Sequence, residues 1–137
     1  MTVVTALQAA LAAEYATVYG YGVVGARLTG ADQGYATTAL EAHMVTRDRL
    51  IGLVSALGAT PVAALPAYRL PFAVTDTASA KQLAAQLEQG CAGAAWDLIA
   101  ASATSTSLRS LGIGWIADAA VRATHWGGTQ ALPGQPA

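Results

Sequence analysis

Residues 59–76, ATPVAALPAYRLPFAVTD, are the stretch of sequence that decides the fold. Prolines at positions 61, 66 and 71 exclude a continuous helix here, because proline cannot donate the backbone hydrogen bond of an interior helical residue. The segments on both sides are rich in Ala, Leu, Gln and Glu and lack the alternation of half-buried strands, which predicts α-helices. The stretch therefore separates two helical regions.

Four helices are predicted, with bounds 3–28, 32–57, 77–102 and 107–125. Asp32 is the expected N-cap of the second helix, and Asp76 or Thr77 that of the third. Gly30 and Gly58 are expected to end the first two helices, since glycine tolerates the left-handed conformation that follows many helices.

The lengths of the links predict the topology of the bundle. Short links make helices 1 and 2, and helices 3 and 4, antiparallel neighbours. A helix of about 26 residues, the predicted length of the first three, is about 39 Å long, whereas residues 59–76 can reach about 59 Å when extended. We expect an all-α four-helix bundle in which this link crosses the whole bundle between helices 2 and 3. Tyr68, Leu70, Phe72 and Val74 favour this crossover over the alternative, a loose loop at one end.

Composition limits the organisation and the partners of the chain of 137 residues. We expect one domain over residues 1–126 and an extended or disordered tail over 127–137. Hydrophobic residues make up 54% and charged residues only 11%, which predicts a homo-oligomer, with a dimer favoured. A single cysteine, Cys91, excludes an internal disulfide and is expected to fill a small space in the core.

Three classes of function or location are disfavoured by the sequence. The seven basic residues are scattered, so no nucleic-acid partner is expected. No apolar run is long enough for a membrane span, so no membrane partner is expected. The first residues, MTVVTALQAA, lack the basic region of a signal peptide, and we expect a cytoplasmic location.

The letters Gly20-x-Gly22-x-x-Gly25 match a dinucleotide fingerprint. That fingerprint works where a strand turns into a helix N-terminus, whose free N–H groups hold the pyrophosphate. Here the preceding residues have a helical pattern, so the motif does not predict a nucleotide site. We expect the glycines to allow close packing of a neighbouring helix, or a local kink.

Polar residues lie on the apolar stripes of all four predicted helices, where the bundle interior is expected. They are Glu14, His43, Arg47, Glu88, Asp118 and Arg122. Glu14, His43 and Glu88 fall near the middle of their helices and Asp118 slightly past it, which places them in one central layer. A buried carboxylate is costly unless it is paired, hydrogen-bonded or bound to metal.

Together these features resemble the ferritin-like superfamily. The segments AEYATVYGYGVVGARL, AHMVTRDRLI, AYRLPFAVTDTASA, QLEQGCAGAAW and DAAVRATHW are similar to a family of small ferritin-like domain proteins of unassigned function. The resemblance covers nearly the whole chain. It implies the fold, and it implies that Glu14, His43, Glu88 and Asp118 correspond to ligands of a dimetal centre.

The sequence does not supply all the ligands that the implied dimetal centre requires. Leu40 and Val121 stand where two further ligands would be, and Arg47 and Arg122 lie one turn from His43 and Asp118. A guanidinium stays charged and repels a cation. We therefore expect a buried charge network in place of the metals.

We thus expect a non-catalytic protein with no bound cofactor. The alternative is a protein that binds iron, manganese or zinc through Glu14, His43, Glu88 and Asp118 and acts in oxidation or metal handling.

Overall fold

The computed structural model describes residues 1–129 and 132–135 as a bundle of four long helices, with no strand among them. The helices are α1 (Val3–Ala26), α2 (Gly30–Ala56), α3 (Thr77–Ala101) and α4 (Thr106–His125). Every bound lies within two residues of its predicted position. The prediction of an all-α four-helix bundle is confirmed.

The helix ends follow local rules, with two corrections. Gly30, which was expected to end α1, is the first residue of α2, and α1 ends at Ala26 with Arg27 as its C-cap. Asp76 caps α3 by accepting a hydrogen bond from the Ser79 amide at 2.8 Å, in a capping box. The predicted stop Gly58 has a positive φ of 78°. The N-cap of α2 is Thr29 rather than Asp32, which lies in the first turn of that helix. An acidic side chain in a first turn still interacts favourably with the helix dipole.

The link between α2 and α3 runs along the bundle, as the sequence predicts. Near its start, Gln8 of α1 donates to the Thr60 carbonyl at 2.7 Å and accepts from the Val62 amide at 2.9 Å. Farther along, the rings of Tyr68 and Tyr19 lie 5.9 Å apart. The link therefore follows α1 from its first turns towards its C-terminal end. We call residues 57–76 the crossover.

Two apolar clusters fill the bundle on either side of its middle. One surrounds the C-terminal end of α1 and the other its N-terminal end. The first contains Tyr21, Val24, Leu28, Ala36, Ala39, Ala80, Leu83, Ala84 and Trp126, with Leu70, Phe72 and Val74 of the crossover packed against it. The second contains Ala6, Leu7, Ala10, Leu11, Leu50, Val54 and Leu98. The ends of all four helices are thus fixed by apolar packing, and polar residues lie between the clusters.

The glycine motif lies inside α1, so its amides belong to the helix and cannot form a phosphate loop. The close packing expected there is found at Gly20, where an added Cβ would lie 2.5 Å from Leu87 Cδ1. No such neighbour lies within 4 Å of the corresponding positions at Gly22 and Gly25.

The tail is partly described. Pro133 is buried, and its carbonyl accepts a hydrogen bond from Trp96 Nε1 at 3.1 Å, so residues 132–135 lie against α3. The remainder of the predicted tail over 130–131 and 136–137 lies outside the described residues. The division into a domain and a tail stays a prediction.

Two glycines of α4 provide a matched test of helix packing. A Cβ at buried Gly112 would lie 2.7 Å from Ile99 Cγ1 and 3.3 Å from the Ala95 carbonyl oxygen, whereas one at exposed Gly114 meets nothing within 4 Å. We expect Gly114→Ala to raise the free energy of unfolding by about 0.5–1 kcal/mol. We expect Gly112→Ala to lower it by about 1–3 kcal/mol through overpacking. Urea denaturation measures both, and equal effects would contradict the close α3–α4 contact.

Candidate functional site

The middle of the bundle holds four charged side chains, one from each helix. Glu14 of α1, His43 of α2 and Glu88 of α3 are buried, and the Arg122 side chain of α4 is 18% exposed. All four stand at sequence-predicted site positions. We call Glu14, His43, Glu88 and Arg122 the charge chain.

His43 lies between the two carboxylates. Its Nδ1 is 2.6 Å from Glu14 Oε2, and its Nε2 is 2.6 Å from Glu88 Oε1. An ionised carboxylate only accepts hydrogen bonds, so both contacts are hydrogen bonds only when both ring nitrogens carry protons. The geometry is that of an imidazolium bound at both ends.

Glu88 is the most heavily bonded member of the charge chain. Its Oε1 accepts from His43 Nε2, from Arg122 Nε at 2.7 Å and from the Tyr21 hydroxyl at 3.0 Å. Trp126 Nε1 in turn donates to the Tyr21 oxygen at 3.0 Å. Three donors on one oxygen satisfy a carboxylate that is 0% exposed.

The pKa values follow from these contacts. Burial opposes charge on His43, but the adjacent Cys91 and hydrogen bonds to Glu14 and Glu88 raise its pKa to about 12. Burial likewise opposes charge on Glu88, but His43 and then Arg122 hold the pKa of that carboxyl below its usual value. Burial, then the Glu88 charge, raises the pKa of Tyr21. Two negative and two positive groups therefore balance, and the charge chain is neutral.

Arg47 and Asp118 lie outside the charge chain, and their predicted places in it are corrected. Arg47 Nε donates instead to Asp48 Oδ1 at 2.9 Å, at the surface. Asp118 is exposed, because the buried face of α4 is formed by neighbouring positions: Gly112, Ile116, Ala119 and Ala123. Asp118 is therefore also removed from the predicted set of metal ligands.

Cys91 also belongs to the site, although it was expected only to fill a small space in the core. Its Sγ lies 3.0 Å from Thr17 Oγ1, and the ligand atoms of Glu14, His43 and Cys91 all lie within 4.8 Å of one another. Burial, then the Glu14 charge, raises the pKa of the Cys91 thiol to about 11. Cys91 follows Glu88 by three residues, so the two lie on the same face of α3, and this spacing in the sequence could have indicated that Cys91 lies beside the site.

Tyr21 and Trp126 also belong to the site, because the Tyr21 hydroxyl donates to Glu88 and Trp126 Nε1 donates to the Tyr21 oxygen. Trp126 follows Arg122 by four residues, so the same helical spacing applies.

The site and fold define a class: an all-α four-helix protein with a buried ion-pair network. The family model for the domain of unknown function DUF4439 matches residues 6–137, and the chain belongs to this family. It is also similar to a crystal structure described as a conserved hypothetical protein, rv2844, from Mycobacterium tuberculosis. The two are 35% identical with a TM-score of 0.85, and the match covers 89% of this chain and 92% of that one. No curated protein matches the sequence.

In the described part of the chain, no helix combines the length and the apolar content that crossing a bilayer requires.

Removing the charge of Glu88 should leave His43 and Arg122 without their shared partner. We expect Glu88→Gln to lower the free energy of unfolding by about 3–5 kcal/mol, the usual cost of breaking a buried ion pair. Glu41→Gln, at an exposed position of α2, is the control and should change it by less than about 0.5 kcal/mol. Chemical denaturation measures both. Equal values for the two variants would mean that Glu88 is solvated.

The charge chain also predicts how stability depends on pH. Because folding raises the pKa of His43, the protonated ring contributes its full stabilisation below the unfolded-state pKa of 6.5. That stabilisation is lost as the pH rises towards the folded-state pKa of about 12. Because folding lowers the pKa of Glu88, the ionised carboxylate contributes its full stabilisation above the unfolded-state pKa of 4.5. That stabilisation is lost as the pH falls through the lower pKa of the folded state. These two groups therefore contribute most between pH 4.5 and 6.5. Thermal unfolding should give a higher Tm at pH 6 than at pH 9.

His43→Gln is the control for this pH dependence. The variant should lose most of the decline in Tm between pH 6 and pH 9, because glutamine does not titrate. An unchanged decline would assign the pH dependence to other groups.

Proposed function

We propose that this protein is a non-catalytic, ferritin-like binding protein, in which the charge chain takes the position of a dimetal centre. The observation that carries the proposal is the contact of Arg122 Nε with both oxygens of Glu88, at 2.7 and 3.1 Å. A guanidinium this close occupies the carboxylate and repels a cation.

The donor set also does not fit two metals. Both nitrogens of His43 already bond to carboxylates, and Leu40 and Val121 supply no ligand atoms at the two remaining positions. A dimetal centre in a bundle of this type uses two Glu and two Glu-x-x-His motifs. No step through a metal follows from these residues.

A second candidate is a protein that binds one metal ion. The specific observation in its favour is the cluster of Glu14, His43 and Cys91, whose ligand atoms lie within 4.8 Å of one another. Zinc accepts this mixture of oxygen, nitrogen and sulfur ligands. An ion there would have to displace one ring proton of His43 and the proton of the Cys91 thiol.

The homodimer and the cytoplasmic location stay predictions. Several large apolar side chains are exposed along the chain, and a dimer would cover some of them. They include Leu57, Leu65, Ile113 and Val121.

Metal loading separates the two candidates. Protein purified without chelator would be incubated with Zn(II), Mn(II) or anaerobic Fe(II), desalted and measured by elemental analysis. We expect far less than one ion per chain in each case, because the charge chain is already neutral. About one ion per chain, lost in both His43→Ala and Cys91→Ser, would overturn the proposal in favour of the single-metal candidate. Circular dichroism checks that the variants are folded.

A further inference from the structure

A cleft opens between α2 and α4 beside the charge chain. It has a volume of about 230 Å³ and is lined by Tyr35, Thr38, Ala39, Ala42, Asp118, Val121 and Arg122. Drug-sized ligands occupy sites of roughly 300–1,000 Å³, so this cleft suits a smaller molecule. Its lining includes one positive and one negative side chain.

Arg122 reaches the cleft with unused donors. Its Nε bonds to Glu88, but among the described residues none accepts a hydrogen bond from its two terminal nitrogens. The side chain is 18% exposed and lines the cleft. Two parallel N–H groups of a guanidinium match the two oxygens of a carboxylate. The free edge of Arg122 is thus a carboxylate-binding group.

Asp118 makes the cleft unsuitable for a simple anion. It lies one helical turn before Arg122, so the two side chains lie on the same face of α4. Its carboxylate forms no salt bridge with a described residue, but it lies near enough to Arg122 for the two charges to interact. The negative charge would repel a bound anion and attract an ammonium group. The remaining lining is mainly apolar, with Ala39, Ala42 and Val121 placed to contact an aliphatic group.

We propose that this cleft binds a small zwitterion of the amino-acid type. Its carboxylate bonds to Arg122, its ammonium group pairs with Asp118, and its short aliphatic side chain contacts the alanines. This inference deepens the proposed binding function and rests on it. The ligand binds at the outer edge of Arg122, so the charge chain remains intact and no bond is made or broken.

Three probes of similar shape test the pairing of charges. They are L-leucine, 4-methylpentanoate, which lacks the ammonium group, and 3-methylbutylamine, which lacks the carboxylate. Isothermal titration of the full chain should show leucine binding at least about tenfold more tightly than either of the others. Equal binding of leucine and either analogue, or no binding of leucine, would overturn the proposal.

Asp118→Asn tests the role of the carboxylate and leaves the hydrogen bonds of the charge chain in place, because the exposed Asp118 makes none of them. In this variant, leucine should lose its advantage over 4-methylpentanoate. A preserved advantage would contradict the assigned pairing.

Two valines provide a matched steric control for the location of binding. Val121 lines the cleft and is 67% exposed, whereas Val45 lies on α2 outside the cleft and is 70% exposed. Val121→Trp should weaken leucine binding at least about tenfold, and Val45→Trp should leave it within about twofold. Equal effects would place the ligand elsewhere. The metal experiment remains independent, since failure of leucine to bind would leave the charge chain unaffected.

Discussion

The short contacts of His43 with two carboxylates are the interaction on which the rest of the site depends. Glu14 and Glu88 are buried on different helices, and two unpaired carboxylates in this setting would cost several kcal/mol each. A doubly protonated imidazole at 2.6 Å from each satisfies both. The charge on that ring then requires both carboxylates to remain ionised, so each group maintains the protonation state of the next.

Arg122 brings the net charge of this arrangement to zero by pairing with Glu88. Without it, one imidazolium would face two carboxylates, and a net negative charge would remain in the core. With it, each of the four helices contributes one charged side chain to the same layer, between two apolar clusters. Directional contacts between charged groups fix the relative heights and rotations of helices more strictly than alanine packing does. The crossover complements this by covering the side of the bundle along α1.

Much of the architecture could be predicted from the sequence. The prolines of the crossover and the lengths of the links specify the topology, and Asp76 and Gly58 mark helix ends by local chemistry. Glu14, His43 and Glu88 could be placed in one layer because each lies at the middle of a long helix with larger apolar residues around it.

The rotation of α4 could not be predicted in the same way. Its buried face is made of Gly112, Ile116, Ala119 and Ala123, and small residues occur on every side of this helix. The larger residues Leu111 and Trp115 each lie one position before a buried residue, and a stripe drawn through them continues to the exposed Asp118. Arg47 was misplaced for another reason: a long side chain on the edge of the buried face can turn outward, and Asp48 provides a partner there.

The central claim is that His43 is an imidazolium at neutral and moderately alkaline pH, and the most direct measurement is nitrogen-15 NMR of the protein labelled at the histidine ring nitrogens. The account predicts that both nitrogens of His43 carry protons at pH 8, with couplings to two separate N–H hydrogens. His125, which lies at the surface with a side chain 35% exposed, provides an internal comparison in the same spectrum. A single protonated nitrogen on His43 at pH 8 would contradict the account, because one of the two carboxylates would then lack its donor.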